Sequence, residues 1–261
     1  MRKSLLMCVL LAVCLCPCYT FGAESGPCEG QRWKVPRLEM QFVYVGPGSF
    51  RMGYDDVNTY KNKPVHTVTI SKGYWIGKYE VTQDEYQSIM CNNPSHFKGG
   101  KKPVEMVSWY DAMSFCQLLT ERERVAGRLL SGYEYRLPTE AEWEFAARGG
   151  IASKGYKYSG GDDLGSVAWN DLDMTYDVGM KAPNELGIYD MSGNVWEWCL
   201  DDWDDNCYGP PADGSRQGDG TGENRVMRGG SGAEVTYRFL NWPDESALDV
   251  GFRVVYAVCS K

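Results

Sequence analysis

Histidine is nearly absent from this chain, with two among its 261 residues. A metal site built on three histidines is therefore excluded, and His66 and His96 are predicted to be ordinary core or surface residues. No C-x-x-C pair occurs, which leaves a thioredoxin-like or zinc-ribbon protein without support. The Gly-Gly pairs at residues 149–150 and 229–230 are not followed by Lys-Ser or Lys-Thr, so a nucleotide-binding P-loop is not indicated there.

The chain also lacks an excess of positive charge. It has 27 Lys and Arg against 35 Asp and Glu, a formal net charge of -8 at pH 7. Nonspecific nucleic-acid binding depends on a basic face that displaces phosphate counterions, so we expect no nucleic-acid partner. The hydrophobic fraction of 43% is typical of globular proteins, and one domain is the simplest organisation for this length.

No hydrophobic run is long enough for a membrane-spanning helix. The apolar stretch at residues 5–15 follows two basic residues and precedes small ones, which is the pattern of a secretory signal. Residues 1–23 are therefore predicted to be a signal peptide, and the protein to be exported to the exterior, the periplasm or the cell envelope. Residues 11–14 form an imperfect lipoprotein box, so a lipid anchor, the one membrane attachment predicted, stays open beside plain secretion.

Six cysteines remain after the signal, and an even number in an exported protein permits disulfides. They are Cys28, Cys91, Cys116, Cys199, Cys207 and Cys259. Cys28 and Cys259 lie near the two ends of the chain and are predicted to form a disulfide. Cys116 lies in an apolar helical pattern, which predicts a small buried thiol.

Short strands and three helix starts dominate the predicted secondary structure. Residues 40–52 are predicted to form two strands around a turn at 46–48, and residues 65–80 to form further strand. The three helix starts have the capping-box pattern. They are Thr82 with Glu85, Ser108 with Asp111, and Thr139 with Glu142. From about residue 151 on, loops and short strands are expected, including a solvated acidic loop at 201–205. The whole is predicted to be an α+β domain.

Several sequence strings, in order along the chain, resemble the formylglycine-generating enzyme, or sulfatase-modifying-factor, family. They are GKYEVT at 77–82, PVEMVSW at 103–109, RLPTEAEWE at 136–144, NELGIYDMSGNVWEW at 184–198, RGGS at 228–231 and GFR at 251–253. The resemblance implies a C-type-lectin-like fold with short antiparallel strands, a few helices and extensive ordered loops. The predicted organisation is a lead-in at 24–39 and a sulfatase-modifying-factor-like domain at 40–261.

The catalytic cysteines that this resemblance implies are missing. Enzymes of the family oxidise a cysteine of nascent sulfatases with two cysteines that bind copper(I) shortly after the Gly-Gly-Ser string. The matching stretch here, residues 232–238, has no cysteine, and none occurs between Cys207 and Cys259. Copper and family oxidase chemistry are therefore not expected, and no catalytic residue is predicted.

The resemblance does imply one metal site, a structural calcium ion in the turn at 190–197. The predicted ligands are Asp190, Gly193, Val195 and Glu197. Carboxylate and backbone carbonyl oxygens together are the hard ligands that calcium takes from loops. The alternative is a tight polar turn beside buried tryptophans.

A ligand-binding surface is predicted around residues 232–246, where lectin-fold relatives present their ligand sites. Its candidate contacts are Tyr237, Arg238, Asn241, Trp242, Asp244 and Glu245. Tyr, Trp and Arg are the residues that dominate binding hot spots. Part of this segment is expected to be a core strand, with Val235 and Phe239 as its buried residues.

The leading functional hypothesis is a noncatalytic envelope or secreted protein that binds an unknown protein or glycan. Three alternatives stay open. One is an oxidase of the family with a displaced site, or a degenerate partner of such an enzyme. Another is a structural envelope component. The third is a variable ligand-binding protein of a diversity-generating retroelement, which the Gly-Gly-Ser string, short diversified stretch and terminal Gly-Phe-Arg also resemble. Adenine-targeted randomisation of Asn codons cannot produce Glu or Trp, so Glu234, Trp242 and Glu245 are not such sites.

Overall fold

The computed structural model describes residues 26–53, 65–170, 173–204, 210–230 and 232–259. The predicted signal peptide and Cys207 lie outside these residues. Within them, no helix has both the length and the apolar character needed to cross a membrane.

The strands form three small sheets. The first has the order β1-β2-β5-β11-β6 and is antiparallel throughout, and the second has the order β10-β7-β8-β9 with β10 and β7 parallel. The third pairs β3 with β4. The strands are β1 Trp33–Lys34, β2 Gln41–Val45, β3 Gly48–Met52, β4 His66–Ile70, β5 Tyr74–Gly77, β6 Tyr133–Arg136, β7 Trp196–Asp202, β8 Arg225–Arg228, β9 Arg238–Asn241, β10 Val250–Phe252 and β11 Val255–Val258.

The three predicted helix starts are confirmed, each with both halves of a capping box. At the first, the Thr82 hydroxyl accepts from the Glu85 amide at 3.3 Å, and the Glu85 carboxylate accepts from the Thr82 amide at 2.8 Å. The helices are α1 Gln83–Met90, α2 Trp109–Val125, α3 Glu140–Ala147 and the short α4 Leu164–Val167, with a 3-10 turn at Gly150–Ala152. Helix α3 ends just before Gly149, which has a left-handed φ of 89° that suits a helix end.

Two clusters of buried apolar side chains form the core. The first lies around α1, α2 and the two larger sheets, and it includes Phe115, Trp198 and Phe252. Cys116 belongs to it, which confirms the predicted buried thiol. The second lies around α3 and the β3–β4 pair. The α+β class and the C-type-lectin-like architecture are the fold that the sequence predicts.

Three details differ from, or add to, the sequence-based predictions. The turn at 46–48 does not close a hairpin, because β2 pairs with β1 and β5 while β3 pairs with β4. The lead-in forms β1 and buries Val35 and Leu38 in the first core cluster. Asp201 and Asp202 are buried at the end of β7, so the prediction of a solvated loop is wrong at these two residues.

The predicted disulfide between Cys28 and Cys259 is not present in the structure. The segments that carry the two cysteines bond to different parts of the five-stranded sheet. Cys28 precedes Gln31, whose carbonyl accepts from the Trp75 side chain of β5. Cys259 follows β11, and its amide donates to the Gly132 carbonyl beside β6. The ends of the domain are thus held by separate hydrogen bonds.

Candidate functional site

One buried arginine forms hydrogen bonds to the backbone of residues 232–246, the segment predicted to bind ligand. Arg228 of β8 donates to the backbone carbonyls of Val235 at 2.7 Å and Thr236 at 3.1 Å. The same guanidinium pairs with Glu140 and Glu144 of α3, at 3.2 and 2.6 Å. All three charged side chains are buried. A loop held by charge-assisted hydrogen bonds of this kind has a fixed backbone.

Arg238 belongs to this buried network, so its prediction as a ligand contact is wrong. Its side chain is 5% exposed and makes a bidentate ion pair with Glu140. Its guanidinium also lies over the Trp203 ring, 4.5 Å from the centroid. Because β9 pairs with β8, Arg238 stands opposite Arg228, and both guanidiniums reach the same carboxylate. Arg238 therefore stabilises the segment from inside.

Asp201 completes the acidic side of the network. It accepts hydrogen bonds from the amides of Glu140 and Gln217, both at 2.8 Å. Burial raises the pKa of Asp201 to about 7, with the nearby Glu140 carboxylate adding to the rise. The neighbouring Asp202 pairs with Arg225 at 2.7 Å, and Arg225 lies over the Trp109 ring at 4.6 Å.

The other predicted contacts lie at or near the surface. Trp242 is 58% exposed, Asp244 and Glu245 are exposed, and Asn241 is half-buried. Tyr237 is half-buried and packs against Trp196 with ring centroids 5.9 Å apart. Of the residues predicted to be buried, Val235 is buried and Phe239 is half-buried.

The backbone around Trp242 is tied to the start of α2. The Trp109 amide donates to the Pro243 carbonyl, and the Met106 amide to the Ala247 carbonyl, both at 3.0 Å. Tyr110, the next residue of α2, is 53% exposed. Sequence reasoning missed Tyr110, because a helix-start pattern gives no sign that a loop 130 residues later docks beside it.

The predicted calcium turn forms part of a buried charged cluster. Asp190, Glu197 and Glu80 are all buried, and the Arg253 guanidinium pairs with Glu197. Burial raises the pKa of Glu80 well above its usual range, helped by the charges of Asp190 and Glu197. Burial also raises the pKa of Asp190 to about 6. Glu80 was not predicted from the sequence, although it lies in the string at 77–82.

The two carboxylates among the four predicted calcium ligands, Asp190 and Glu197, differ in their hydrogen-bond partners. Asp190 accepts from the Gly179 amide with one oxygen, and its other oxygen has no partner in the described structure. Both Glu197 oxygens accept hydrogen bonds, from Arg253 at 2.7 Å and from the Trp143 indole at 2.7 Å. Among the described residues, no three His, Cys, Asp or Glu side chains are grouped as metal ligands. Asp190 therefore keeps one oxygen without a hydrogen bond in the described part of the chain, whereas Glu197 is committed to an ion pair.

In the stretch where the resemblance places the copper cysteines, the structure has an ion pair. The Glu234 carboxylate lies 3.0 Å from the Lys157 ammonium, and the Val235 amide donates to the Lys157 carbonyl. The described part of this stretch offers no thiolate that could bind copper(I).

The fold and this site define a domain of the C-type-lectin-like class. The profile of the Sulfatase-modifying factor enzyme 1-like domain matches residues 31–258. The chain belongs to this family, as the sequence strings predicted.

Three similar proteins illustrate the range of the family. The chain is 34% identical over 245 residues to the Chaperone protein LppX of Paenibacillus barcinonensis, and this match covers 76% of the chain and 81% of LppX. It is 35% identical over 193 residues to the Formylglycine-generating enzyme of Streptomyces coelicolor, with 64% of this chain and 54% of the enzyme covered. Among solved structures, Treponema denticola variable protein 1 superposes with a TM-score of 0.73 at 31% identity, with 88% of this chain and 99% of that chain covered.

Proposed function

We propose that this protein is a noncatalytic recognition protein that binds a protein or glycan ligand on the surface around Trp242. The observation that carries the proposal is a large aromatic side chain, 58% exposed, on a loop tied by backbone hydrogen bonds to α2. Rigid, exposed tryptophans supply much of the binding energy at interfaces because they bury a large area at small entropic cost. Asp244 and Glu245 are exposed and supply hydrogen-bond acceptors, and the exposed Tyr110 follows Trp109, whose amide holds the loop.

The ion pair between Glu234 and Lys157 supports the noncatalytic part of the proposal. Copper(I) prefers soft thiolate ligands, and a carboxylate paired with an ammonium is a poor substitute. Copper(I) titration of the reduced protein tests this directly, together with a sulfatase-type cysteine peptide as substrate. We expect no stoichiometric copper binding and no peptide oxidation. Tight copper binding, or formylglycine in the peptide, would overturn the noncatalytic proposal.

The recognition surface is tested by Trp242→Ala in a screen of glycan and peptide arrays. For ligands that bind the wild-type protein, we expect a loss of about 2 kcal/mol or more in binding free energy. The melting temperature should stay nearly unchanged, because the side chain is mostly exposed. Lys98→Ala, an exchange at a surface lysine outside the segment, serves as the control. Equal ligand binding by Trp242→Ala and wild type would argue against this surface.

A second candidate rests on the similarity to Treponema denticola variable protein 1. On this hypothesis, residues 232–246 differ between copies of the protein while the remainder stays fixed. Sequencing the gene in many isolates of its source tests it, and substitutions spread evenly along the chain would count against it. The structure makes such variation tolerable only at exposed positions such as Asp244, since Arg238 is fixed by Glu140.

We also propose that the protein is exported and that a structural calcium ion binds at Asp190. Export rests on the signal pattern at residues 1–23. The calcium proposal rests on the charge balance of the buried cluster, where three carboxylates face the guanidinium of Arg253. It also rests on the one Asp190 oxygen that has no partner in the described structure. A cation there would offset charge that is costly to bury.

A further inference from the structure

A pocket of about 520 Å³ has Glu234, Val235 and Thr236 in its wall. These three residues belong to the 232–246 segment and precede Trp242 in the sequence. Its other lining residues come from the end of β3, the end of α3 and the loop at 155–162. Its volume falls in the range of small-molecule sites. The function proposed above does not use this pocket.

Among the described residues, one cation that lines the pocket has no counter-ion. Lys157 pairs with Glu234, and Asp162 accepts from the Lys157 amide at 2.8 Å. Arg148 is held by Glu144 and the Gly53 carbonyl. Arg51, exposed at the end of β3, makes no ion pair within the part of the chain that the structure describes. Cations outnumber acids among the lining residues, on a protein whose net charge is -8.

A second, independent observation concerns Thr236. The residue is 5% exposed, and its hydroxyl is buried with no hydrogen-bond partner among the described residues. Buried hydroxyls nearly always have a partner, because leaving one unpaired costs free energy. The backbone carbonyl of the same residue accepts from Arg228, so the residue is fixed in place. Among the described residues, the hydroxyl therefore has no acceptor, and a ligand in the pocket could supply one.

From these observations we infer that the pocket binds a small molecule through an oxyanion group, received by the Arg51 guanidinium and the Thr236 hydroxyl. A guanidinium donates in pairs to carboxylate, sulfate or phosphate oxygens, and a hydroxyl can donate to the same group. Val65 and Val235 give the pocket an apolar part for the remainder of the ligand. The Trp242 surface and this pocket use different residues, so the two proposals can fail separately.

The test uses sodium sulfate, sodium phosphate and sodium acetate as probes, with ionic strength held constant by sodium chloride. We expect at least one of the three anions to raise the melting temperature of the wild-type protein above its value in chloride alone. The anion that acts distinguishes a tetrahedral from a carboxylate group. Calorimetric titration with that anion then gives the dissociation constant.

Two variants examine the two donors. Arg51→Ala should weaken binding at least tenfold. Thr236→Val should weaken it several-fold without lowering the melting temperature in chloride, because the lost hydroxyl has no partner. Arg124→Ala, at an exposed arginine of α2, and Trp242→Ala should both bind the anion like the wild type. The inference is overturned if no anion stabilises the wild type more than chloride does. It is also overturned if Arg51→Ala and Thr236→Val keep the full response.

Discussion

At the scale of single residues, burial determines the role of each charged side chain. Arg238 and Trp242 are four positions apart in one segment, yet the first is buried against Glu140 and the second is exposed. Both residue types are common at hot spots, which is why the sequence predicted both as contacts. The partner of Arg238 lies 98 residues earlier in the chain. No local pattern could have indicated that pairing.

Arg238→Ala should destabilise the fold by about 3–5 kcal/mol, as expected when one partner of a buried ion pair is removed. The reason is that Glu140 would keep its charge in a buried site with one guanidinium fewer. Denaturant unfolding measures the change. Arg124→Ala, at an exposed pair with Glu121, should cost less than about 1 kcal/mol. Equal effects of the two variants would mean that Arg238 is not buried in solution.

Glu85 provides a pH-dependent prediction. Burial raises its pKa to about 7, above its usual 4.5. The protonated form is favoured in the folded state, so its contribution to stability is complete below pH 4.5 and is lost as the pH rises through 7. Glu85→Gln keeps a capping side chain but cannot ionise. We expect the variant to match the wild type at pH 4 and to be more stable at pH 8, by up to about 3 kcal/mol.

Unfolding curves at the two pH values measure this difference. The surface exchange Glu121→Gln is the control and should show no pH-dependent gain, since Glu121 is exposed. A Glu85→Gln variant that is less stable than the wild type at pH 8 would contradict the prediction.

At the scale of elements, features that depend on neighbouring residues could be predicted from the sequence, whereas pairings between distant residues could not. The three capping boxes and the Gly149 stop depend on neighbouring residues only, and the structure confirms all of them. The pairing of β2 with β5, and of β3 with β4, depends on residues far apart in the chain and was not predicted. The burial of Asp201 also depends on distant elements, because its partners come from α3 and the residue-217 loop.

The capping box of α2 can be tested by Ser108→Ala. The Ser108 hydroxyl accepts from the Asp111 amide at 3.1 Å, so its loss leaves that amide without its side-chain partner. We expect a destabilisation of about 1 kcal/mol, measured by denaturant unfolding. Ser114→Ala, at an exposed position further along α2, should change stability by less than that. If the two serines behave alike, the capping box does not contribute.

At the scale of the whole molecule, the family and the fold could be predicted because sequence strings spread over the chain carry them. The site could be predicted only in part. The calcium turn is the clearest case. Its carboxylates were identified, but two residues from distant strings also contact the turn: Arg253 pairs with Glu197, and Glu80 accepts from the Val195 amide.

Calcium should stabilise the whole domain if it binds there. A chelator is expected to lower the melting temperature and excess calcium to restore it, with a stabilisation of about 2.7 kcal/mol at one hundred times the dissociation constant. Asp190→Asn should abolish this response, and Asn suits the position because the backbone φ there is 58°. Glu121→Gln should respond like the wild type. If melting of the wild type ignores both reagents, the turn holds no calcium.

The order of the strands also determines when the protein can fold. The short stretch from β10 to β11 contributes one strand to each of the two larger sheets, and β11 lies between β5 and β6. On the ribosome, the residues of β1 to β9 emerge before this stretch does. Until it emerges, β6 lacks its only neighbour in the described sheet, and β5 has one open edge. Pairings between residues this far apart in sequence form slowly. The nascent chain therefore exposes strand edges until this stretch has emerged, and during that time it is open to aggregation and to binding by chaperones.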